Sequence, residues 1–245
     1  MTGPGATHAR LHLPAPAQET RLYLIRHGQT DWNAEERYQG QIDSTLSARG
    51  RDQAARLART LASVPLRAVY TSPLSRARDT ATVIAAPHGL AVITLETLRE
   101  VNMGEWEGLT APEITDRFGD VLRARRRDPQ GVTPAGGEAL ADLQARALGA
   151  VACMVGRHPG ATIAAVAHGG LNKTILLAVL GAPLSRYWAI RQDNAAINLV
   201  VFGETGARVE LLNETSYLEA AAARRPGIEG TPAAPAACTR RPQSE

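Results

Sequence analysis

Short apolar runs alternate with amphipathic segments between residues 20 and 218, and this alternation most limits the folds open to the chain. The run Leu22–Ile25 is apolar throughout, as expected of a strand buried on both faces of a sheet. Further strands are predicted at residues 68–71, 90–94, 162–167, 196–202 and 208–212. Four helices are predicted. The first runs from the cap Ser47 to Leu61, the second follows Ser75 and stops at Pro87, the third lies between Glu138 and Arg157, and the fourth runs from about Gly170 to Leu180. The pattern predicts an α/β three-layer sandwich, with helices on both faces of a mostly parallel central sheet.

One domain is expected over residues 21–218, between two tails. Residues 1–20 and 219–245 are rich in Pro and Ala and bury too little apolar surface to offset the entropy of ordering, so both tails are predicted to be disordered. No apolar run reaches the roughly 18–20 residues of a membrane span. The chain has 2 cysteines, too few for a disulfide framework, and Cys153 is expected in the core. A soluble, cytoplasmic protein with no membrane partner is therefore expected.

The charge of the chain is modestly basic, at +3, and Lys173 is the only lysine among 27 basic residues. An arginine guanidinium grips phosphate at two points, whereas a lysine ammonium acts as a point charge. Aromatic residues make up 4% of the chain, which argues against a surface that stacks nucleic-acid bases. No nucleic-acid partner is expected. A homodimer is left open, although no residue pattern argues for one.

Three predicted strands end in residues suited to binding an anion. Arg26 and His27 follow the first strand, Arg76 lies just beyond the second, and His168 and Gly169 follow the strand at residues 162–167. The carboxyl ends of parallel strands meet at one edge of a sheet, where ligands of such sheets bind. A helix that begins at glycines also presents free backbone N–H groups to an anion. The sequence therefore predicts a phosphate pocket at this edge.

Four motifs occur in order within residues 20–218. They are Leu24–Thr30 with Asn33 and Gln39-Gly40, Thr71–Ala77, Leu98–Glu100 with Gly104–Gly108, and His168–Gly170. Together they resemble the histidine phosphatase superfamily, whose fold is that of phosphoglycerate mutase. The resemblance implies a phosphatase that uses neither a metal ion nor another cofactor.

The resemblance also implies roles for these residues. His27 would be neutral, with one ring nitrogen donating to a backbone carbonyl while the other attacks phosphorus to give a phosphohistidine. Glu100 would protonate the leaving oxygen and then activate water. His168 would support the transition state. Binding of the phosphoryl group is expected from Arg26, Asn33, Arg76, His168 and Gly169, and a substrate contact from Gln39. Asp31, Glu105 and Glu107 are rival acids.

The short stretch after Glu100 resembles the phosphatase branch of the family. A mutase-type phosphoryl transferase and a non-catalytic phosphate-binding relative remain as alternatives. The substrate is expected to be a small phosphorylated metabolite, with α-ribazole phosphate, glycosyl-3-phosphoglycerate, phosphoserine and broad specificity all open. Loops within residues 103–137 are expected to set specificity. The arginine cluster at Arg123 and Arg125–Arg127 either faces solvent or binds a second anionic group.

Other residues receive structural interpretations. Trp106 is expected to pack its loop rather than line the pocket. His88 and His158 lie at predicted helix ends, where an imidazole can bond free carbonyl groups.

Overall fold

The computed structural model describes residues 16–219 of the 245-residue chain. The predicted disorder of residues 1–15 and 220–245 lies outside the described residues. The first strand begins at Thr20, one residue before the predicted start of the domain. Within residues 16–219, no helix combines the length and the apolar character needed to cross a membrane.

A six-stranded sheet organises the described residues, with the strand order β3-β2-β4-β1-β5-β6. Its strands are β1 (Thr20–Arg26), β2 (Leu66–Thr71), β3 (Val92–Thr94), β4 (Thr162–Ala167), β5 (Ile197–Gly203) and β6 (Gly206–Glu214). The first four strands of that order run parallel, whereas β5 is antiparallel to both β1 and β6. The predicted mostly parallel sheet is therefore confirmed.

Six α-helices accompany the sheet: α1 (Asp31–Ala34), α2 (Ala48–Leu61), α3 (Ser75–Ala85), α4 (Ala111–Arg127), α5 (Leu140–Arg157) and α6 (Gly169–Val179). Ile25 of β1 joins an apolar cluster with residues of α2 and α3, and Leu24 joins another with residues of α4, α5 and α6. Because neighbouring side chains of a strand point to opposite faces, helices cover both faces of the sheet. The predicted three-layer sandwich is confirmed.

Helix α2 begins where the sequence predicts and fixes the loop that follows β1. The Ser47 hydroxyl accepts a hydrogen bond from the Gly50 N–H and caps the helix. A Cβ on Gly50 would lie 1.9 Å from the Gln29 carbonyl oxygen, and one on Gly28 would lie 2.5 Å from the Gly50 carbonyl oxygen. Backbone therefore packs directly against backbone at the start of α2, which only glycine allows.

Helix α4 occupies much of the segment in which the sequence interpretation expected loops. Thr110 and Glu113 form a capping box at its start, a signal that was present in the sequence. Only Ile114, Leu122 and Arg125 are buried among its 17 residues. So few buried apolar positions give a weak helical pattern, and the sequence interpretation, which placed specificity loops mainly within residues 103–137, did not predict this helix.

Two smaller expectations also need correction. Cys153 is exposed, because the buried face of α5 passes through Val151 and Met154 and leaves residue 153 on the outer side. The His158 imidazole does not bond a helix carbonyl; its Nε2 lies 2.8 Å from the Tyr70 hydroxyl of β2. Nε2 of His88 has no hydrogen-bond partner within the described chain.

Candidate active site

The sheet brings three strand ends together, as the sequence predicts. The His27 N–H donates to the Ala167 carbonyl at 3.0 Å, and the Ser72 N–H donates to the Val166 carbonyl at 3.1 Å. The ends of β2, β4 and β1 are therefore neighbours, with β4 in the middle. The rings of His27 and His168 meet edge to face, with 5.2 Å between their centres.

The His27 imidazole is held as a neutral ring with one free nitrogen. Its Nδ1 lies 2.7 Å from the Gly28 carbonyl oxygen, and because a carbonyl can only accept, Nδ1 carries the proton. Nε2 is left with its lone pair. Burial holds the pKa of this ring well below its usual value, and the charges of Arg76 and Arg26 lower it further. The backbone-carbonyl acceptor is the one that the sequence interpretation expects.

The His168 imidazole is fully buried and is oriented by Ser72. Its Nε2 lies 2.7 Å from the Ser72 hydroxyl oxygen, which also accepts a 3.3 Å bond from the Leu74 N–H. In the tautomer whose Nε2 accepts the Ser72 hydroxyl proton, the ring proton lies on Nδ1, which has no partner among the described residues. Burial lowers the pKa of His168 strongly, and Arg76 adds to this effect. Sequence reasoning gave Ser72 no role, although it lies within the second motif.

Arg26 and Arg76 are fixed by backbone carbonyls instead of carboxylates. Arg76 is 1% exposed and donates to the carbonyls of Gly40 at 2.8 Å and Ile42 at 3.0 Å. Arg26 donates to the Gln192 carbonyl at 2.6 Å. Burial lowers the pKa of Arg76 to about 10 and also lowers that of Arg26. An arginine guanidinium keeps its proton at neutral pH in proteins, so both side chains are cations. Since neither forms an ion pair within the described chain, their charge remains available to an anion.

Glu100 occupies the helix N-terminus that the sequence interpretation expects to be open to an anion. Its Oε1 accepts N–H bonds from Val101 at 2.9 Å and Leu171 at 3.0 Å, and its Oε2 accepts one from Gly170 at 2.9 Å. Gly169 lies nearer to Arg26, whose Nε would be 3.4 Å from a Cβ at that position. The predicted acid therefore lies beside the paired histidines and arginines.

Arg146 of α5 holds the loop that carries Glu100. Its guanidinium pairs with both Glu138 carboxylate oxygens at 2.6 and 2.9 Å. It also donates to the carbonyls of Thr97 at 2.9 Å, Arg99 at 2.7 Å and Glu100 at 2.9 Å. Sequence reasoning missed this residue, because backbone carbonyls far along the chain leave no signal in side-chain patterns.

Asn33 and Gln39 both have internal partners in this structure. Asn33 Oδ1 accepts from the Thr30 N–H at 3.1 Å and from the Asn194 amide at 3.0 Å, while its Nδ2 has no partner among the described residues and can donate to a ligand. Gln39 is buried, and its Oε1 accepts a 2.5 Å bond from the Ser44 hydroxyl. Asn33 thus keeps a free donor, while the Gln39 oxygen holds its own loop.

The three rival carboxylates, Asp31, Glu105 and Glu107, have other surroundings or other hydrogen-bond partners. Oε1 of Glu107 accepts N–H bonds from Gln41 and Met103, both at 2.9 Å, and Glu105 is exposed. Asp31 borders a separate cleft of about 480 Å³. The other residues that line this cleft are Trp32, Glu35, Asp43, Ser44, Thr45 and Ser75. Glu100 is therefore the best-placed carboxylate of the four.

Trp106 is buried and meets the Tyr38 ring edge to face, with 6.0 Å between ring centres, so it packs its loop as expected.

The members of the arginine cluster differ in burial. Arg125 is 2% exposed, whereas Arg123, Arg126 and Arg127 are exposed. Among residues 16–219, no group of three His, Cys, Asp or Glu side chains is arranged to hold a metal ion.

Residues 22–215 match the family model of the histidine phosphatase superfamily, branch 1. Phosphoserine phosphatase 1 of Hydrogenobacter thermophilus is 34% identical over 81% of this chain and 94% of its own length. Glucosyl-3-phosphoglycerate phosphatase of Mycobacterium tuberculosis is 38% identical over 69% of this chain and 79% of its own length. The solved structure of Bacillus stearothermophilus YhfR superposes with a TM-score of 0.78 at 36% identity, covering 81% of this chain and 99% of that one.

Proposed function

The chain belongs to branch 1 of the histidine phosphatase superfamily and is a phosphatase, and from this premise we propose that it hydrolyses a small phosphorylated metabolite through a phosphohistidine on His27. The observation that carries the proposal is the neutral His27 ring, with its Nδ1 proton held by Gly28 and two arginines without carboxylate partners beside it. A neutral nitrogen in a positive field is suited to attack phosphorus in a phosphate dianion.

The first step forms a bond between His27 Nε2 and phosphorus and breaks the bond from phosphorus to the ester oxygen. Arg26 and Arg76 neutralise the phosphoryl oxygens, and the unpaired Nδ1–H of His168 donates to one of them. The free Nδ2 of Asn33 and the backbone N–H of Gly169 supply neutral donors. Five groups thereby share the charge that a metal ion bears in other phosphoryl-transfer enzymes.

Glu100 gives a proton to the departing ester oxygen. Its Oε1 already accepts two N–H bonds and its Oε2 only one, so Oε2 is the atom with a lone pair to carry that proton. In the second step a water molecule attacks phosphorus, Oε2 takes the proton of that water, and the bond from phosphorus to nitrogen breaks. The products are inorganic phosphate and neutral His27.

The test is a p-nitrophenyl phosphate assay in excess EDTA, joined to quenching with alkaline detergent after reaction with a ³²P-labelled substrate. We expect turnover without metal and a labelled protein that is stable in base and labile in acid. The His27→Ala variant should lose both signals, and a variant that kept near-normal turnover would remove His27 from its role. Brisk interconversion of 2- and 3-phosphoglycerate with a bisphosphate primer would indicate a mutase instead.

The names of two relatives narrow the choice of substrates. One is a phosphoserine phosphatase and the other a glucosyl-3-phosphoglycerate phosphatase. We propose substrates of similar size and test them in a panel with phosphoserine, glucosyl-3-phosphoglycerate and α-ribazole phosphate. A ranking by kcat/KM identifies the preferred class, and equal values would indicate broad specificity.

A further inference from the structure

Two further cations, Lys173 and Arg125, lie beyond the phosphate-binding groups, and Lys173 is on the same face of α6 as Gly169 and Gly170. Gly169 faces Arg26, and a Cβ on Gly170 would lie 2.5 Å from Glu100 Oε1 and 2.9 Å from the Tyr187 hydroxyl. Lys173 is one helical turn further along, and residues three or four apart share a helix face. Lys173 and Tyr187 therefore lie next to the proposed catalytic groups.

Lys173 is a half-buried cation without an anionic partner among the described residues. Its ammonium lies 4.9 Å from the centre of the Tyr187 ring and 5.2 Å from that of Trp188. Contact with two aromatic rings orients the ammonium but leaves its charge in place. Burial lowers its pKa, and Arg26 lowers it further, while Glu100 raises it. The ammonium is thus close enough to the site to respond to its charges.

Arg125 is the second cation of this set. Its side chain is almost fully buried, Nη1 donates to the Val132 carbonyl at 2.5 Å, and Nε has no partner within residues 16–219. The Trp188 indole N–H donates to the Arg125 carbonyl oxygen at 3.4 Å. Trp188, whose ring lies beneath the Lys173 ammonium, therefore also contacts the backbone of Arg125. The positive charge of Arg125 also lowers the pKa of the Tyr187 hydroxyl.

A cation that is buried without an anion is costly, so the unpaired Nε of Arg125 and the half-buried ammonium of Lys173 require an explanation. Resting on the proposed function, we propose that Lys173, Arg125 and the Tyr187 hydroxyl bind a carboxylate on the substrate. The preferred substrates are then phosphorylated carboxylic acids.

A carboxylate suits this subsite better than a second phosphate. The negative charge of Glu100 raises the pKa of both Lys173 and Tyr187, which shows that Glu100 lies close to both side chains. Glu100 therefore repels any anion bound between them, and it repels a phosphate dianion more strongly than a carboxylate. Burial and Glu100 raise the pKa of Tyr187, so its hydroxyl keeps its proton and can donate to a carboxylate oxygen.

The test compares substrates that differ only at the carboxylate. One pair is 3-phosphoglycerate and glycerol 3-phosphate, and another is phosphoserine and phosphoethanolamine. The readout is the ratio of kcat/KM within each pair, measured for the wild type, Lys173→Met, Arg125→Gln and the control Arg123→Gln. Arg123 suits the control because it is exposed on the same helix and paired with Asp120. We expect the wild type to prefer the carboxylated member, and Lys173→Met to lower the ratio by about tenfold to a hundredfold, the effect of one charged hydrogen bond.

Each outcome decides the proposal. A wild-type ratio near one, a ratio that Lys173→Met leaves unchanged, or a preference for propane-1,3-diol bisphosphate over 3-phosphoglycerate would overturn it. If Arg125→Gln does not fold, Lys173→Met alone decides. If no phosphomonoester is hydrolysed, the proposed function fails, and calorimetric binding of 3-phosphoglycerate against glycerol 3-phosphate to His27→Ala, with and without Lys173→Met, still decides the carboxylate subsite.

Discussion

Replacement of Arg146 by glutamine tests how Glu100, the proposed acid, is held in place. The change removes a two-point ion pair with Glu138 and three bonds to carbonyls of the loop that ends in Glu100. Both partners of the ion pair are about one-fifth exposed, so water replaces part of what is lost. We expect the free energy of unfolding to fall by about 2–3 kcal/mol, which is at or below the low end of the range for breaking a fully buried pair.

The effect on catalysis should depend on the leaving group. General acid catalysis supplies about 10²–10⁴-fold, and a displacement of the acid by about 1 Å costs roughly a hundredfold. We therefore expect Arg146→Gln to lower kcat about a hundredfold for an alkyl phosphate, whose leaving oxygen needs the proton. For p-nitrophenyl phosphate, which leaves as a stable anion, kcat should fall only a few-fold.

Steady-state kinetics on both substrates measure the difference, with Arg99→Gln as the control. Arg99 is in the same loop, but its side chain pairs with the exposed Glu96 and holds no part of Glu100. Arg146→Lys should restore part of the alkyl phosphate activity. Equal losses on both substrates, or unchanged kcat on the alkyl phosphate, would refute a role for Arg146 in positioning the acid.

Three further predictions concern the frame around the site. Ser72→Ala frees the His168 ring, so kcat should fall by about tenfold for p-nitrophenyl phosphate, with an unchanged value as the contrary result. Because His27 and His168 bind protons less readily in the folded chain, the free energy of unfolding should decline as pH falls below about 6.5, and a flat profile in denaturant titrations would contradict this. Gly50→Ala should cost at least about 1–3 kcal/mol in the same titrations, since its Cβ has no room. Gly149→Ala is its control, because nothing lies within 4 Å of that Cβ.

Most of the sheet and the centre of the candidate site can be predicted from the sequence. The runs Leu22–Ile25 of β1 and Ile163–Ala167 of β4 are apolar throughout, and the residues that follow parallel strands must meet at one edge. The sequence alone therefore predicts that Arg26, His27 and His168 lie together. The Nδ1 acceptor of His27 is likewise expected, because a nucleophilic imidazole needs one nitrogen protonated.

The rest depends on contacts that leave no periodic signal. Helix α4 has few apolar positions, so only its capping box marks it. Arg146 binds loop carbonyls, and the burial of Arg125 depends on the packing around Val132 and Tyr187. Cys153 shows the same difficulty on α5, because a position adjacent to a buried stripe can still face outward.

Lys173, packed against two aromatic rings, is the only lysine of the chain. Reductive methylation with ¹³C-formaldehyde would therefore introduce a single side-chain dimethylamine, in addition to the chain's amino terminus. Ring currents from Tyr187 and Trp188 would shift its resonance away from that of an ordinary surface amine. The protein thus offers one side-chain position next to its proposed reaction centre at which a ¹³C label can report ligand occupancy.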